Sequence, residues 1–250
     1  MAFLPLDLLT SGAAELGIHL SPTQLDQLDT FAGMLVETNR KLNLTRITGP
    51  EDIVTGHYLD SLTCLTAVDI ERGSSVIDVG TGAGFPGIPM AVARPDLNLT
   101  LLDSLRKRLD FLSEAARSLG LANVETMRAR AEDVGRDGTH REAYDFAVTR
   151  ALANVRMLVE LCLPFVKTGG YLIAQKGADI EGELDRARPI IGQLGGKLVE
   201  VKRVTIPHSD IERTLVLIEK VKPTPDTFPR GWKKMAARNR ANSQGMSYTT

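Results

Sequence analysis

Between residues 76 and 87 the chain reads Val-Ile-Asp-Val-Gly-Thr-Gly-Ala-Gly-Phe-Pro-Gly, β-branched residues running into a glycine-rich turn. That order predicts a strand, a tight turn and a helix, the local arrangement that lets backbone approach a nucleotide-like ligand. Gly82, Gly84 and Gly87 satisfy G-x-G-x-x-G, and Asp103 lies 19 residues after Gly84. A ribose-binding acid usually follows such a loop by about 20 residues, so the pattern alone reads as a dinucleotide-binding enzyme. Asp78 changes that reading. It stands two residues before Gly80, at the end of the strand, facing the place where a pyrophosphate would lie. A carboxylate there repels a diphosphate and suits a cation such as the ammonium of a methionine moiety. D-x-G-x-G with a following acid therefore favours S-adenosylmethionine (SAM) over NAD.

From residue 74 onward, short apolar runs alternate with helical patterns. Strands are expected over 74–79, 98–103, 123–127, 143–149, 170–175, 197–206 and 214–221, with helices over about 86–93, 105–119, 151–166 and 180–194. Strand–helix alternation implies a parallel sheet covered on both faces. The last two strands are joined by a loop without a helix, so they should be antiparallel. The expected fold is α/β: a Rossmann-like class I SAM-dependent methyltransferase fold, with a mostly parallel seven-stranded sheet and an antiparallel last strand. Residues 1–70 read as an N-terminal helical extension. Ser21-Pro22 caps a helix whose apolar face is Leu25, Leu28, Phe31, Ala32, Leu35 and Val36. Residues 71–221 form the expected methyltransferase domain. Residues 222–250 form a tail carrying Lys222, Arg230, Lys233, Lys234, Arg238 and Arg240 against the single acid Asp226, its end expected to be disordered.

Charge and cysteines exclude little and settle two points. The net charge of −1 does not restrict partners, which feel local patches rather than totals. Cys64 and Cys162 are the two cysteines, too few for a disulfide framework and without metal-ligand spacing, so buried thiols and no metal are expected. No stretch approaches the roughly 18 apolar residues of a membrane span, and a cytoplasmic, reduced protein is expected. No oligomerising stripe stands out, and a monomer is expected.

In such sheets the ligand lies at the carboxyl ends of the strands. Gly80 and Gly82 let backbone approach the methionine and ribose portions, and Asp103 is the ribose acceptor or a helix cap. Ser104 and Leu105 could flank adenine, Ala131 and Glu132 could read its edge or simply begin a helix, and Phe85 packs on the cofactor or in the core. Arg130, Arg150 and Lys176 fall at the same edge and are the candidates for RNA phosphate or base contacts, or pair with acids. Arg40, Lys41, Arg46 and the basic tail could extend that footprint. Gly49-Pro50 breaks the helical pattern of the N-terminal extension and residues 51–68 restart it. There His57 and Asp60, three apart on one helical turn, could interact with each other, and either pack or touch substrate.

Asp78-Val-Gly-Thr-Gly-Ala-Gly-Phe-Pro-Gly-Ile-Pro89 resembles motif I of the bacterial ribosomal RNA small-subunit methyltransferase G family (RsmG, also called GidB). Asn43-Leu-Thr45, His57-x-x-Asp60-Ser61, Asp103-Ser104 with Lys107-Arg108, Arg130-Ala-Glu132, Thr149-Arg-Ala151 and Gln175-Lys-Gly177 resemble its other blocks in the same order. The resemblance covers roughly residues 40–220. The family usually ends in a proline- and glycine-rich basic stretch, and Phe228-Pro-Arg-Gly-Trp-Lys-Lys234 matches it only in part. The resemblance implies SAM-dependent N7 methylation of one guanine in small-subunit (16S) ribosomal RNA, or in its ribonucleoprotein precursor. It also implies cofactor contacts at Gly80, Phe85, Asp103, Ser104, Leu105, Ala131, Glu132 and Arg150. The chemistry agrees by what is missing. No Asn/Asp-Pro-Pro-aromatic block for an exocyclic amine follows strand four, and no cysteine sits at a strand end for attack at a pyrimidine carbon. N7 loses no proton on methylation, so no catalytic base is assigned. A SAM-dependent methyltransferase for another RNA or a small molecule, an NAD(P) oxidoreductase and a non-catalytic RNA-binding module are the rivals.

Overall fold

The computed structural model describes residues 2–150, 153–235 and 237. Its centre is a seven-stranded sheet in the order β3-β2-β1-β4-β5-β7-β6. The strands are β1 (Ser75–Val79), β2 (Asn98–Asp103), β3 (Val124–Arg128), β4 (Tyr144–Arg150), β5 (Val166–Lys176), β6 (Gly196–Thr205) and β7 (Glu212–Lys220). The first five run parallel, and β7 enters antiparallel between β5 and β6. This is the sheet that the alternation of strands and helices predicts.

Side chains alternate across the strands and feed two cores. On β1, Val76 joins one cluster and Ile77 the other; on β5, Ile173 and Leu172 part in the same way. The first face is covered by α1 (Leu6–Glu15), α2 (Pro22–Leu42), α5 (Gly87–Ala93) and α6 (Arg106–Ser118), with Leu9, Leu28, Phe31, Ile88 and Leu112 in one buried cluster. The N-terminal helices thus share their apolar interior with the sheet. Ser21 opens α2 with a reciprocal cap: its hydroxyl accepts from Gln24 N–H and Gln24 Oε1 accepts from Ser21 N–H, with Pro22 at the first helical position. The second face is covered by α8 (Val155–Cys162) and α9 (Glu181–Gln193).

Two local expectations need correction. The helix expected over 151–166 is shorter: α8 starts at Val155 behind the cap of Asn154, whose Oδ1 accepts from Met157 N–H, and Val166 already belongs to β5. The segment Leu163–Phe165 between them forms a single tight turn of helix around Pro164, which has no N–H to continue the ladder. Residues 151 and 152 lie outside the described residues. The stretch after Gly49 is also not one regular helix. Pro50–Ile53 (α3) passes into a π-helical turn, Val54–Leu59, before Asp60–Leu62 (α4), and such turns collect at functional sites.

The described part of the tail is a strap held by buried polar anchors. Lys220, fully enclosed, donates to Leu163 O, Val166 O and Thr224 Oγ1 and pairs with Glu142 at 3.0 Å. Arg141 donates to Thr224 O and Phe228 O, and Arg136 to Pro229 O. The disorder expected of the end of the tail, with Arg238 and Arg240, falls outside the described residues.

Candidate active site

The strand order changes direction between β1 and β4, with β2 and β3 on one side and β5 on the other. The motif residues gather at the carboxyl ends beside this point, where open α/β sheets hold ligands. Gly80, Gly82 and Gly84 take φ of +75°, +62° and +96°, a region other residues enter at a cost. Gly80 N–H and Thr81 N–H both donate to Leu102 O, which ties the loop to β2. Gly87 is glycine because its backbone lies against the acid beneath it. A Cβ there would collide with Leu101 and stand 2.8 Å from Asp78 Oδ2.

Asp78 is wholly enclosed rather than open to the site, which corrects the expectation that it faces the ligand directly. Its Oδ2 accepts from Gly87 N–H at 2.9 Å, and burial pushes its pKa up to about 6. Asp78 Oδ1 and Thr81 Oγ1 are buried with no hydrogen bond of good geometry among the described residues, and the Thr81 hydroxyl beside the carboxylate offsets part of the effect of burial. A buried acid with a spare acceptor oxygen, a hydroxyl and a backbone loop open above Gly82 fit the cationic end of SAM; a Cβ at Gly82 would meet only Gly80 O, at 3.8 Å.

Asp103 ends β2 with its carboxylate already organised. Oδ1 accepts from Leu105 N–H at 2.8 Å, and Oδ2 accepts from Gly82 N–H and Arg108, both at 3.1 Å. It therefore clamps the glycine loop to the start of α6 while retaining acceptor capacity at Oδ1. Ser104 is exposed, and Leu105 presents a bare apolar side chain, 52% exposed, beside it. Ala131 and Glu132 open the short helix α7 (Ala131–Val134), with Glu132 buried.

Phe85 goes to the interior, tilted against Phe31, and stacks flat on His57, centroids 4.1 Å apart. Arg150, expected at the open edge as a cofactor or RNA contact, turns inward over the Phe85 ring at 4.9 Å. Its guanidinium donates to Gly56 O, His57 Nδ1 and Asp60 Oδ2, each within 3.1 Å. His57 and Asp60 thus meet through Arg150, and not simply as neighbours three apart, because the π-helical turn displaces that spacing. Arginine has no acceptor, so His57 Nδ1 must be the unprotonated nitrogen and Nε2–H donates to Thr45 Oγ1. Burial, helped by Arg150, lowers the His57 pKa to about 3. Asn39 fixes Thr45 through two hydrogen bonds of 2.9 Å.

Asp60, 1% exposed, also accepts from Arg213 Nε at 3.0 Å and Gln175 Nε2 at 2.7 Å. This network floors a hollow of about 560 Å³ shared by His57, Arg150, Lys176 and Arg213. Lys176 spans it, donating to Ala153 O and pairing with Glu183 at 3.1 Å. Arg130 stands elsewhere, in a second hollow beside the strap, so the structure separates it from Arg150 and Lys176. Arg40, Lys41 and Arg46 lie toward the surface. Arg213 was not singled out by sequence; an arginine opening an apolar strand was the available signal. The two thiols are fully buried, and burial raises both pKa values. Among the described residues no cluster of three or more His, Cys, Asp or Glu could hold a metal ion.

The model of the family described as rRNA small subunit methyltransferase G matches residues 24–214. The chain belongs to the rRNA small subunit methyltransferase G family. Its relatives include the Ribosomal RNA small subunit methyltransferase G of Alkaliphilus metalliredigens (strain QYMF), 50% identical over 223 residues, 89% of this chain and 93% of the relative. The protein of the same name from Clostridium perfringens (strain 13 / Type A) is 44% identical over 90% of this chain and 94% of its own length. Among solved structures, a SAM dependent methyltransferase from Aquifex aeolicus superposes with TM-score 0.52 at 18% identity, covering 74% of this chain and 98% of that one. M. jannaschii TYW2 in complex with AdoMet superposes with TM-score 0.52 at 16% identity, covering 66% and 76%. At these identities they show the fold alone, the class I SAM-dependent methyltransferase fold. The family blocks met in sequence, Asn43–Thr45, His57–Ser61, Arg150 and Gln175, converge in one network around Asp60.

Proposed function

We propose that this protein transfers a methyl group from SAM to N7 of a guanine in bacterial small-subunit (16S) ribosomal RNA, as a cytoplasmic monomer acting on the RNA or its ribonucleoprotein precursor. The observation that carries this reading is the glycine loop over the buried acid Asp78, beside the point where the sheet changes direction, with Asp103 closing the neighbouring strand. In this reading Gly80, Gly82, Asp103, Ser104, Leu105, Ala131 and Glu132 hold the cofactor, and Phe85 and Arg150 back the loop from the interior. Residues 71–221 are the catalytic domain and 1–70 a helical extension that builds the wall carrying His57 and Asp60.

When bound, SAM supplies a methyl group on a sulfonium. The N7 lone pair forms the new N–C bond as the S–C bond breaks, leaving S-adenosylhomocysteine and a cationic methylguanine. No proton leaves, and the residues on hand suit a reaction without a base. The His57 lone pair is committed to Arg150, and its pKa near 3 leaves no basicity to use. The thiols of Cys64 and Cys162 are enclosed and held protonated, which does not suit attack at a pyrimidine carbon. What the chain provides is position, which alone can supply several kcal/mol of a barrier. The test is transfer of tritiated methyl from SAM to 16S ribosomal RNA from a strain lacking the enzyme. Label mapped to one guanine N7 is expected; label on a pyrimidine or an exocyclic amine would overturn the chemistry.

A further inference from the structure

The second hollow, about 660 Å³, lies between the start of α7 and the strap and is lined by Arg130, Arg136, Trp232, Lys233 and Lys234. We propose that it is a binding subsite for one single-stranded nucleotide of the RNA substrate, its base stacked on the Trp232 indole and its phosphates held by Arg130, Lys233 and Lys234. The proposal rests on the RNA-methylating reading above and extends it to a contact outside the strand ends.

Three observations carry it. Trp232 is the chain's single tryptophan, and it stands 46% exposed in a helical turn over residues 232–235. An indole left open beside lysines and arginines is the composition of a stacking platform for unpaired bases. The turn is also fixed. Met235 behind it is 3% exposed in the core, and Arg230 before it holds buried Glu160 through Nε, Nη2 and its own N–H. A platform already held in place loses little entropy on binding. Third, the charge is open: the Arg130 side chain is 59% exposed and pairs loosely with Glu132 at 3.8 Å, and both lysines are exposed. Glu132, which lines this hollow, is also among the residues read as holding the cofactor, so the hollow adjoins the cofactor site.

The sole tryptophan makes the test direct. The full chain is titrated with an in vitro transcript of unmethylated 16S ribosomal RNA and with single-stranded oligoadenylate, reading tryptophan fluorescence and filter retention. Quenching by both RNAs is expected. Trp232→Ala should weaken retention by about tenfold or more, and Trp232→Phe by much less. Replacing Arg130, Lys233 and Lys234 together by Ala should lower the salt slope of binding by about 2. Unmoved fluorescence with unchanged retention in Trp232→Ala would overturn the subsite, as would loss of SAM affinity alone or equal quenching by polyglutamate. Methyl transfer is assayed in parallel. If quenching occurs without transfer, the activity falls and the subsite stands; if transfer occurs without quenching, the reverse holds.

Discussion

The His57 imidazole lies on the Phe85 ring with centroids 4.1 Å apart and planes 13° from parallel. One residue belongs to the glycine loop and the other to the π-helical turn, so the stack joins the N-terminal wall to the cofactor loop. Burial at this junction, with the Arg150 charge beside it, keeps the histidine neutral. A group whose folded pKa is near 3 and whose unfolded value is near 6.5 binds fewer protons when folded between those limits. His57 therefore costs stability as pH falls from about 6.5 to 3, at up to about 1.4 kcal/mol per pH unit. The stability difference between wild type and His57→Gln, followed by urea unfolding against pH, should slope this way; a flat difference would refute it.

Asp78 acts with the opposite sign. Its folded pKa near 6 lies above its ordinary value, so the folded chain holds the extra proton and loses stability as pH rises from about 3.8 to 6. A cation bound over the loop favours the ionised carboxylate. SAM affinity should therefore weaken as pH falls through about 6, and Asp78→Asn, which keeps an acceptor for Gly87 N–H, should flatten that dependence. Calorimetry across this range checks it, and an unaltered pH dependence in the variant would count against the acid.

Asp103 and Arg108 should separate cleanly. Asp103→Ala removes the acceptor and the clamp on Gly82, and SAM should bind more weakly by ~1–3 kcal/mol. Arg108→Ala removes only the ion pair from a partly exposed guanidinium and leaves the buried carboxylate its backbone donors, a loss of up to about 1 kcal/mol. Equal losses in the two variants would mean that the ion pair, and not the carboxylate, matters to the cofactor.

Asp60, itself 1% exposed, is the hub of the other hollow and meets Arg150 and Arg213, whose side chains are partly buried. Asp60→Ala leaves two guanidinium groups facing each other and should cost about 3–5 kcal/mol in thermal or urea unfolding. A loss under about 1 kcal/mol would show that solvent already reaches the cluster.

The sheet was legible because β-branched runs alternate with capped amphipathic segments, as at Ser21-Pro22 and 74–79, and local pattern carries that information. The end of the expected helix over 151–166 was not, because Pro164 and the strand-forming Val166 lay inside an unbroken apolar run. Asp78 was read correctly as an acid at the end of β1 but not as an enclosed one, since Gly87 closes over it from nine residues away. The cluster on Asp60 was invisible for a similar reason: Arg213 lies 153 residues distant in the chain. Trp232 became meaningful only once the strap set it beside Arg130.

The account depends most on which cofactor the loop over Asp78 accepts. Titration calorimetry of the full chain at neutral pH, with SAM and NAD in separate runs, measures this directly. Heat of binding with SAM and none with NAD is the predicted result. Saturable binding of NAD with no response to SAM would contradict it.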